Sequence, residues 1–242
     1  MSLLLGAKTA GRLIANDGME REAEARSLSN GITKGESMNE VENTELRVRA
    51  IVESSIHTKR TLLEDTNTLA TIAQMTDVLI QAFAQGNKLI LFGNGGSAAD
   101  AQHIAAEFVG RFAFNRPALP AMALSVNSSA VTAIGNDYGF DRTFARQLEA
   151  FGRAGDVAIG ISTSGNSPNV LEGIATARAM EIRTMALTGQ SGGKLRTAAE
   201  LCICAPSDSP PRIQECHILV GHIVSELVEE AIFAKEHKPA RS

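Results

Sequence analysis

The chain has 242 residues, of which 44% are hydrophobic, and its 27 acidic and 23 basic residues give a formal net charge of −4. This composition is too apolar for a disordered chain, and it has no basic excess to drive nonspecific binding to nucleic-acid phosphates. Aromatic residues make up only 4% and no apolar run approaches the ~20 residues of a membrane-spanning helix, which argues against nucleic-acid stacking platforms and membrane insertion.

The N-terminal segment differs in composition from the remainder of the chain. Residues 1–37 carry scattered Gly, Asn and Ser and a charge cluster at 20–26, and Met38 offers an alternative start. We therefore predict a disordered or added leader over 1–37 and a single domain over 38–242.

The chain contains three cysteines, Cys202, Cys204 and Cys216, and their spacing does not match a disulfide framework. A reducing, cytoplasmic location is therefore the simplest expectation. Cys202 and Cys204 would share one face of a strand, but no second pair completes a metal site.

From residue 44 onward, the hydrophobic pattern predicts helices that alternate with strands. Apolar residues at three- and four-residue intervals indicate two helices over 44–84. Short apolar runs then predict strands at 88–92, 121–125, 157–161, 184–187 and 201–205, with helices at 98–112, 140–151, 170–180 and 213–233. This alternation is typical of a doubly wound α/β fold with a mainly parallel five-stranded sheet, in which ligands bind beyond the carboxyl ends of the strands.

The loop after the first predicted strand is rich in glycine and leads directly into a helix. Glycines allow the backbone to approach a ligand closely, and the amides of the helix N-terminus favour an anion. Gly93, Gly95 and Ala98 fit a dinucleotide-binding spacing, but the next strand ends in Val126 and Asn127 rather than in an acidic residue that would bind ribose. A nicotinamide-dependent dehydrogenase is therefore disfavoured.

The loop after the third predicted strand carries four hydroxyl side chains within six residues, at Ser162, Thr163, Ser164 and Ser167. Hydroxyls, backbone amides and the positive end of a helix dipole can together bind a phosphate without Lys or Arg. One or two hydroxyls would fit ordinary helix capping, whereas this density favours phosphate binding.

Two pairs of helical side chains are candidates for catalysis or metal binding. His103 and Glu107 are four residues apart on one helix face, which suits two metal ligands, a base with its partner, or a solvated pair. Gln214 and His222 are eight residues apart, ~12 Å along a helix, so they are not simple neighbours. They serve one site only if the ligand lies between long side chains, if the helix begins irregularly, or if one residue comes from another subunit.

Taken together, these motifs resemble the phosphoheptose isomerases, which act on sedoheptulose 7-phosphate and belong to the superfamily of sugar-isomerase (SIS) domains. The resemblance extends from about residue 39 to 233. It rests on the glycine and hydroxyl loops, on His103, Glu107 and His222, and on the stretches Gly110-Arg111, Gly135-Asn136-Asp137 and Arg212-Ile213-Gln214-Glu215.

The resemblance implies a role for each matching residue. Glu107 corresponds to the general base of an enediol mechanism, and His222 corresponds to its acid/base partner. Ligands of one Zn²⁺ per subunit are implied at His103, Glu107, Gln214 and His222. The hydroxyls of 162–167 correspond to the phosphate loop, and further substrate contacts are implied at Asn94, Gly95, Gly96, Ser97, Glu107, Arg111, Asn136, Asp137 and Gln214.

The resemblance also implies a cytoplasmic homotetramer with sites at subunit interfaces, which isomerises a sugar phosphate for the ADP-heptose of the lipopolysaccharide core. The alternative is a non-catalytic, tetrameric SIS adaptor that binds the DNA replication initiator. The presence of both Glu107 and His222 favours the enzyme, because an adaptor has no need of a base.

Overall fold

The structure is a computed structural model that describes residues 34–234, with side chains from residue 43 onward. The chain divides into two compact units, one up to Glu53 and the other from Ser54. Most of the expected leader lies outside the described residues, and the first helix, α1 (Lys34–Glu64), begins four residues before Met38. Within the described part of the chain, no helix is both long and apolar enough to cross a membrane.

The two helices predicted over 44–84 are confirmed, and a single residue separates them. Helix α2 (Thr66–Ala84) begins after Asp65, whose carboxylate accepts hydrogen bonds from the amides of Asn67 and Thr68. Such a cap satisfies amides that have no partner within the helix, which is why the chain breaks and restarts here.

Five parallel strands form the sheet, as the sequence predicts. The strands are β1 (Leu89–Gly93), β2 (Ala121–Ala123), β3 (Val157–Ser162), β4 (Arg183–Thr188) and β5 (Leu201–Cys204), in the order β2-β1-β3-β4-β5. The order reverses direction between β1 and β3, so the loops after these two strands flank the position where doubly wound folds bind ligands.

Helices cover both faces of the sheet. They are α3 (Gly96–Val109), α4 (Ser128–Tyr138), α5 (Ala145–Phe151), α6 (Pro168–Ala179), α7 (Leu195–Ala198) and α8 (Pro210–Phe233). Alternate residues of β1 serve the two faces: Leu89 and Leu91 join the apolar cluster shared by α2, α3 and α8, while Ile90 and Phe92 join the cluster with α6 and α7.

Two local predictions differ from the structure. Helix α4 was not predicted, because none of its residues is buried and it therefore shows no apolar stripe. The helix predicted over 140–151 is instead a 3₁₀ turn (Phe140–Arg142) followed by the shorter α5. Gly139, with φ of +89°, separates α4 from this turn.

Candidate active site

The glycine loop and the hydroxyl loop lie side by side at the carboxyl ends of β1 and β3. In the register of these strands Gly93 pairs with Ile161, and a Cβ on Gly93 would lie 2.8 Å from the Ile161 carbonyl oxygen. Any larger residue would therefore push the strands apart. Gly95 has φ of +56°, a conformation that favours glycine, and it ends the loop at the start of α3.

A reciprocal pair of amide side chains joins the glycine loop to helix α6. Asn94 donates to Asn169 over 2.8 Å and accepts from it over 2.9 Å. Asn169 is buried and also donates to the hydroxyl of Thr143 over 3.4 Å. The Asn94 side chain thus fixes the position of the loop that leads into α3.

The hydroxyl loop holds its side chains in a connected cluster at the N-terminus of α6. Ser162 Oγ lies 2.9 Å from Ser167 Oγ and 3.4 Å from Ser164 Oγ. Ser167 precedes α6 but makes no side-chain capping bond, so simple helix capping does not account for its hydroxyl. The arrangement presents several hydroxyl donors at the positive end of a helix, which suits a phosphate.

The loop after β4 packs against the hydroxyl loop. Gly165 has φ of +65°, and any side chain there would overlap the backbone of Gly192. The carbonyl of Gly165 accepts from the Leu195 amide over 3.0 Å, and Asn166 Oδ1 accepts from the Lys194 amide over 3.1 Å. The loop after β4 therefore sets the shape of the hydroxyl loop.

An open pocket of about 570 Å³ adjoins the hydroxyl loop. Its walls include three residues that were not singled out from the sequence: Gln190 follows β4, and Ser207 and Asp208 follow β5. Their positions just beyond the carboxyl ends of two parallel strands are the signal that could have identified them.

His103, Glu107 and His222 converge at the junction of α3 and α8. His103 Nε2 lies 2.9 Å from His222 Nε2 and 3.2 Å from Glu107 Oε1. Ligand atoms from all three residues lie within 4.8 Å of one another, so the group can hold a metal ion. Phe112 packs its ring 5.8 Å from that of His222 and forms one side of the group.

Gln214 lies elsewhere on the same helix pair. Its side chain contacts Gly96, where an added Cβ would overlap it. Gly96 begins α3, seven residues and ~10 Å of helix before His103. Helices α3 and α8 run in the same direction, with Gln214 beside Gly96 and His222 beside His103. The ~12 Å between Gln214 and His222 along α8 therefore corresponds to the ~10 Å between Gly96 and His103 along α3.

The other predicted substrate contacts lie on or after helices α3 and α4. Asn136 and Asp137 are exposed near the end of α4, where Asn136 Nδ2 donates to Asp137 Oδ1 over 2.8 Å. Arg111 is exposed after α3, and Ser97 is buried in its first turn. Within the described chain, no hydrogen bond or ion pair links these residues to His103, Glu107 or His222.

Asp100 is a titratable residue of α3 to which the sequence analysis gave no role. Burial raises the pKa of Asp100 to about 6, although the nearby His103 acts in the opposite direction. Its Oδ2 atom is buried and has no hydrogen-bond partner among the described residues. A partly buried carboxyl whose pKa is raised toward neutrality thus lies one helical turn before His103.

A buried ion pair ties the end of α3 to α8. Arg116 Nε donates to Glu229 Oε2 over 2.8 Å, and both side chains are 1% exposed. Arg116 also donates to the carbonyls of Glu107 and Phe108, over 2.8 and 2.7 Å. Glu229 accepts from the amides of 112–114 over 2.6 to 3.2 Å. Burial alone would raise the pKa of Glu229, but these amide bonds and Arg116 outweigh it and lower the pKa.

The fold and the phosphate-type loop define a sugar-phosphate domain of the SIS class, and the family model "SIS domain" matches residues 53–189. The chain is 50% identical to the phosphoheptose isomerase of Aneurinibacillus thermoaerophilus over 186 residues, which is 77% of this chain and 94% of that protein. It is 48% identical to the phosphoheptose isomerase of Sulfurimonas denitrificans, over 77% of this chain and 95% of that protein.

Solved structures agree with the sequence relatives. The phosphoheptose isomerase of Neisseria gonorrhoeae superposes with a TM-score of 0.73 at 40% identity, covering 77% of this chain and 99% of that one. That of Francisella tularensis gives the same TM-score at 34% identity, covering 77% and 98%. The chain belongs to the phosphoheptose isomerase family, which confirms the resemblance inferred from the motifs.

Proposed function

We propose that the protein interconverts sedoheptulose 7-phosphate and D-glycero-D-manno-heptose 7-phosphate through an enediol. The observation that carries the proposal is the convergence of Glu107 with two imidazoles, in a chain that is 50% identical to a phosphoheptose isomerase over 186 residues. A carboxylate beside an acid/base partner is the minimum that moving a proton between two neighbouring carbons requires.

The hydroxyl loop binds the phosphate end of the substrate. Ser162, Ser164 and Ser167 supply the donors, and the N-terminus of α6 supplies a favourable dipole. Binding at this remote end positions the reacting carbons and lowers the entropic barrier of the chemical step.

Glu107 takes the proton from the carbon next to the carbonyl and returns it to the neighbouring carbon. A single carboxylate serves both transfers, because the two carbons are adjacent in the enediol. His222 moves protons on the substrate oxygens. The imidazole of His103, 3.2 Å from Glu107 Oε1, orients the carboxylate.

The donor set of the group fits a zinc ion. Imidazole nitrogens and a carboxylate oxygen are ligands that Zn²⁺ takes in proteins, and one such atom from each of the three residues lies within 4.8 Å of the others. His103, Glu107 and His222 would hold the ion, with Gln214 as the fourth ligand from the same or another subunit. When bound, the metal polarises the carbonyl and stabilises enediolate charge.

We further propose a cytoplasmic homotetramer with sites at subunit interfaces, acting in the supply of ADP-heptose for lipopolysaccharide. Within one subunit Gln214 contacts Gly96, ~10 Å along α3 from His103, and contribution of Gln214 by a neighbouring subunit would overcome this distance. The non-catalytic adaptor is not favoured, since the relatives named above are isomerases.

The test is isomerisation of sedoheptulose 7-phosphate, followed by the appearance of the aldose. We expect turnover by the purified chain, loss of turnover with a chelator and recovery on adding back Zn²⁺. Turnover that resists exhaustive chelation, with no metal detected in the protein, would remove the zinc from the proposal. No conversion, together with binding to an initiator protein, would establish the adaptor instead.

A further inference from the structure

Two cysteines on strand β5 lie close enough to react with each other. Cys202 and Cys204 alternate along the strand, so both side chains emerge on the same face, and their Sγ atoms are 4.0 Å apart. Both residues are partly exposed, and β5 is the last strand in the order of the described sheet. The isomerase chemistry does not use them.

The surroundings of the pair favour a thiolate at Cys204. Thr188, directly across from Cys204 in the strand register, donates its hydroxyl to Cys204 Sγ over 3.4 Å. The hydrogen bond from Cys202 and that from Thr188 lower the pKa of Cys204 despite burial, and Arg196 acts in the same direction. Burial instead raises the pKa of the third cysteine, Cys216. A thiolate is the reactive form of cysteine, so the pair is set apart from Cys216.

We propose that Cys202 and Cys204 form a redox-modification site, whose oxidation by a hydroperoxide such as hydrogen peroxide weakens phosphate binding in the adjoining pocket. The Cys204 thiolate attacks one peroxide oxygen, the O–O bond breaks, and the departing hydroxide takes a proton to become water. Cys202 then attacks the sulfenic acid at Cys204 Sγ, the S–O bond breaks, and a second water leaves. Two thiols lose two electrons and two protons, and one peroxide is reduced to two waters.

The disulfide cannot form without a change in β5. Residues two apart on a strand have their Cβ atoms on one face and ~6.6 Å apart, whereas the Cβ atoms of a disulfide are only ~3.8 Å apart. The strand must therefore bend, and its hydroxyl bond from Thr188 must change. Because strained disulfides are more readily reduced, the modification is reversible by cellular thiols.

Contacts lead from the pair directly to the pocket. Gly192 packs against Cys204 so closely that an added Cβ would lie 3.0 Å from Sγ. Thr188 is followed by Gly189, whose amide donates to the Thr163 carbonyl over 3.0 Å in the hydroxyl loop. A bend at Cys204 thus moves Gly192, which packs against Gly165 of the hydroxyl loop, and Gly189, which lines the pocket. That this pocket receives the sugar phosphate is part of the proposed function, on which the consequence for catalysis rests.

The experiment treats the reduced full-length protein with hydrogen peroxide, alkylates the remaining thiols and digests with trypsin. Cleavage after Arg196 and Arg212 leaves Cys202 and Cys204 in one peptide, 197–212, and Cys216 in the next. We expect the first peptide to lose two hydrogen masses and to take up no alkylating agent. Calorimetry with inorganic phosphate should show a dissociation constant raised at least about fivefold, restored by dithiothreitol.

Matched variants separate the pair from the other thiol. Cys202→Ser and Cys204→Ser should keep their phosphate affinity after peroxide, whereas Cys216→Ser should respond as the natural chain does. A peptide 197–212 that still carries two alkylated thiols would overturn the site, and a disulfide that leaves phosphate affinity unchanged would overturn its coupling to the pocket. Neither readout requires turnover, so failure of the reduced protein to isomerise sedoheptulose 7-phosphate counts against the proposed function alone.

Discussion

At the scale of single residues, Glu107 has two proposed roles, as the general base and as a metal ligand. Replacing it by Gln removes the base but keeps the size and polarity of the side chain. We expect Glu107→Gln to lower kcat by about 10²- to 10⁴-fold or more, the usual contribution of a general base, with substrate affinity largely retained. Rates of sedoheptulose 7-phosphate isomerisation and calorimetric binding of the same sugar measure the two effects.

Glu226→Gln is the control for this change, because Glu226 is an exposed carboxylate on α8 only four residues from His222. It should behave as the unmodified protein. Turnover of the Glu107 variant within tenfold of that protein would take the role of base away from Glu107.

His217 is fully buried in α8. Its Nε2 atom lies 3.0 Å from the Thr188 carbonyl oxygen, while Nδ1 is buried without a partner among the described residues. Burial lowers the pKa of His217 from 6.5 to about 4, although the bond to Thr188 opposes this. The imidazole is therefore neutral in the folded protein at pH 7.

A neutral buried imidazole makes stability depend on pH in a defined direction. Between pH 6.5 and 4 the unfolded chain binds a proton at His217 that the folded chain does not, so the free energy of unfolding falls as the pH falls through this window. We expect this residue to account for a loss of about 3 kcal/mol between pH 7 and 4. Urea unfolding at several pH values measures it, and His217→Gln should remove this part of the slope. An equal slope in the variant would assign the loss to other groups.

At the residue scale, helix spacing accounts for the contact between His103 and Glu107, whereas the place of His222 was implied by the family resemblance. His103 and Glu107 are brought together by the i,i+4 geometry of a helix, and the structure places His222 beside them. Asp208 and Gln190 were missed, because their place in the pocket depends on how loops from separate strands meet. Asp100 was missed for a related reason: its raised pKa comes from burial, which a sequence does not display.

At the scale of elements, the ion pair between Arg116 and Glu229 fixes α3 relative to α8. Arg116 donates to the backbone carbonyl of Glu107, and Glu229 lies two helical turns after His222 on α8. Replacing Glu229 by Gln leaves a buried guanidinium uncompensated. We expect Glu229→Gln to lower the free energy of unfolding by about 3 to 5 kcal/mol and to lower kcat, because Glu107 and His222 lose their common support.

A double variant distinguishes positioning from stability. Arg116→Met with Glu229→Leu removes both buried charges, but it leaves the amides of 112–114 and the carbonyls of Glu107 and Phe108 without these partners. It should therefore regain only part of the lost stability, whereas kcat should stay low. Arg183→Met is the control, since it breaks an exposed ion pair with Glu200 and should cost at most about 1 kcal/mol. Full recovery of kcat in the double variant would show that the pair does not position Glu107.

Element prediction followed the hydrophobic pattern and failed where that pattern is absent. The five strands and the helices α3, α6 and α8 all bury an apolar face, so their periodicity identifies them. Helix α4 buries no residue and is held by its cap, in which Asn127 accepts from the Ala130 amide over 3.0 Å. A capping residue without an apolar stripe is a weaker sequence signal for a helix than the periodic apolar residues that predicted α6.

At the scale of the whole molecule, α1 presents large apolar side chains that no other described residue of the chain buries. Ile56 and Leu63 are 52% and 66% exposed, and seven residues apart they share one helix face. An exposed apolar stripe of this kind is typical of a surface between subunits. We expect the natural chain to have about four times its monomer mass of 25.6 kDa in light scattering.

Charge on this stripe should dissociate the assembly. We expect Ile56→Asp combined with Leu63→Asp to reduce the mass to that of smaller species and to lower turnover, with helix content by circular dichroism kept. His57→Asp adds one carboxylate next to Ile56 but on another side of the helix, and it should leave the mass unchanged. A doubly charged variant that remains a tetramer would place the subunit interface elsewhere.

The strand order described above also determines when the site can form during synthesis. Leu89 of β1 pairs with Val157 of β3, so the centre of the sheet closes a loop of nearly seventy residues. Such non-local pairing slows folding, because the entropy of closing the loop is lost before the contacts form. His222, on the last helix, leaves the ribosome later still. The nascent chain therefore spends much of its synthesis with an open sheet edge and no active site, which makes the period before α8 emerges the one most exposed to aggregation.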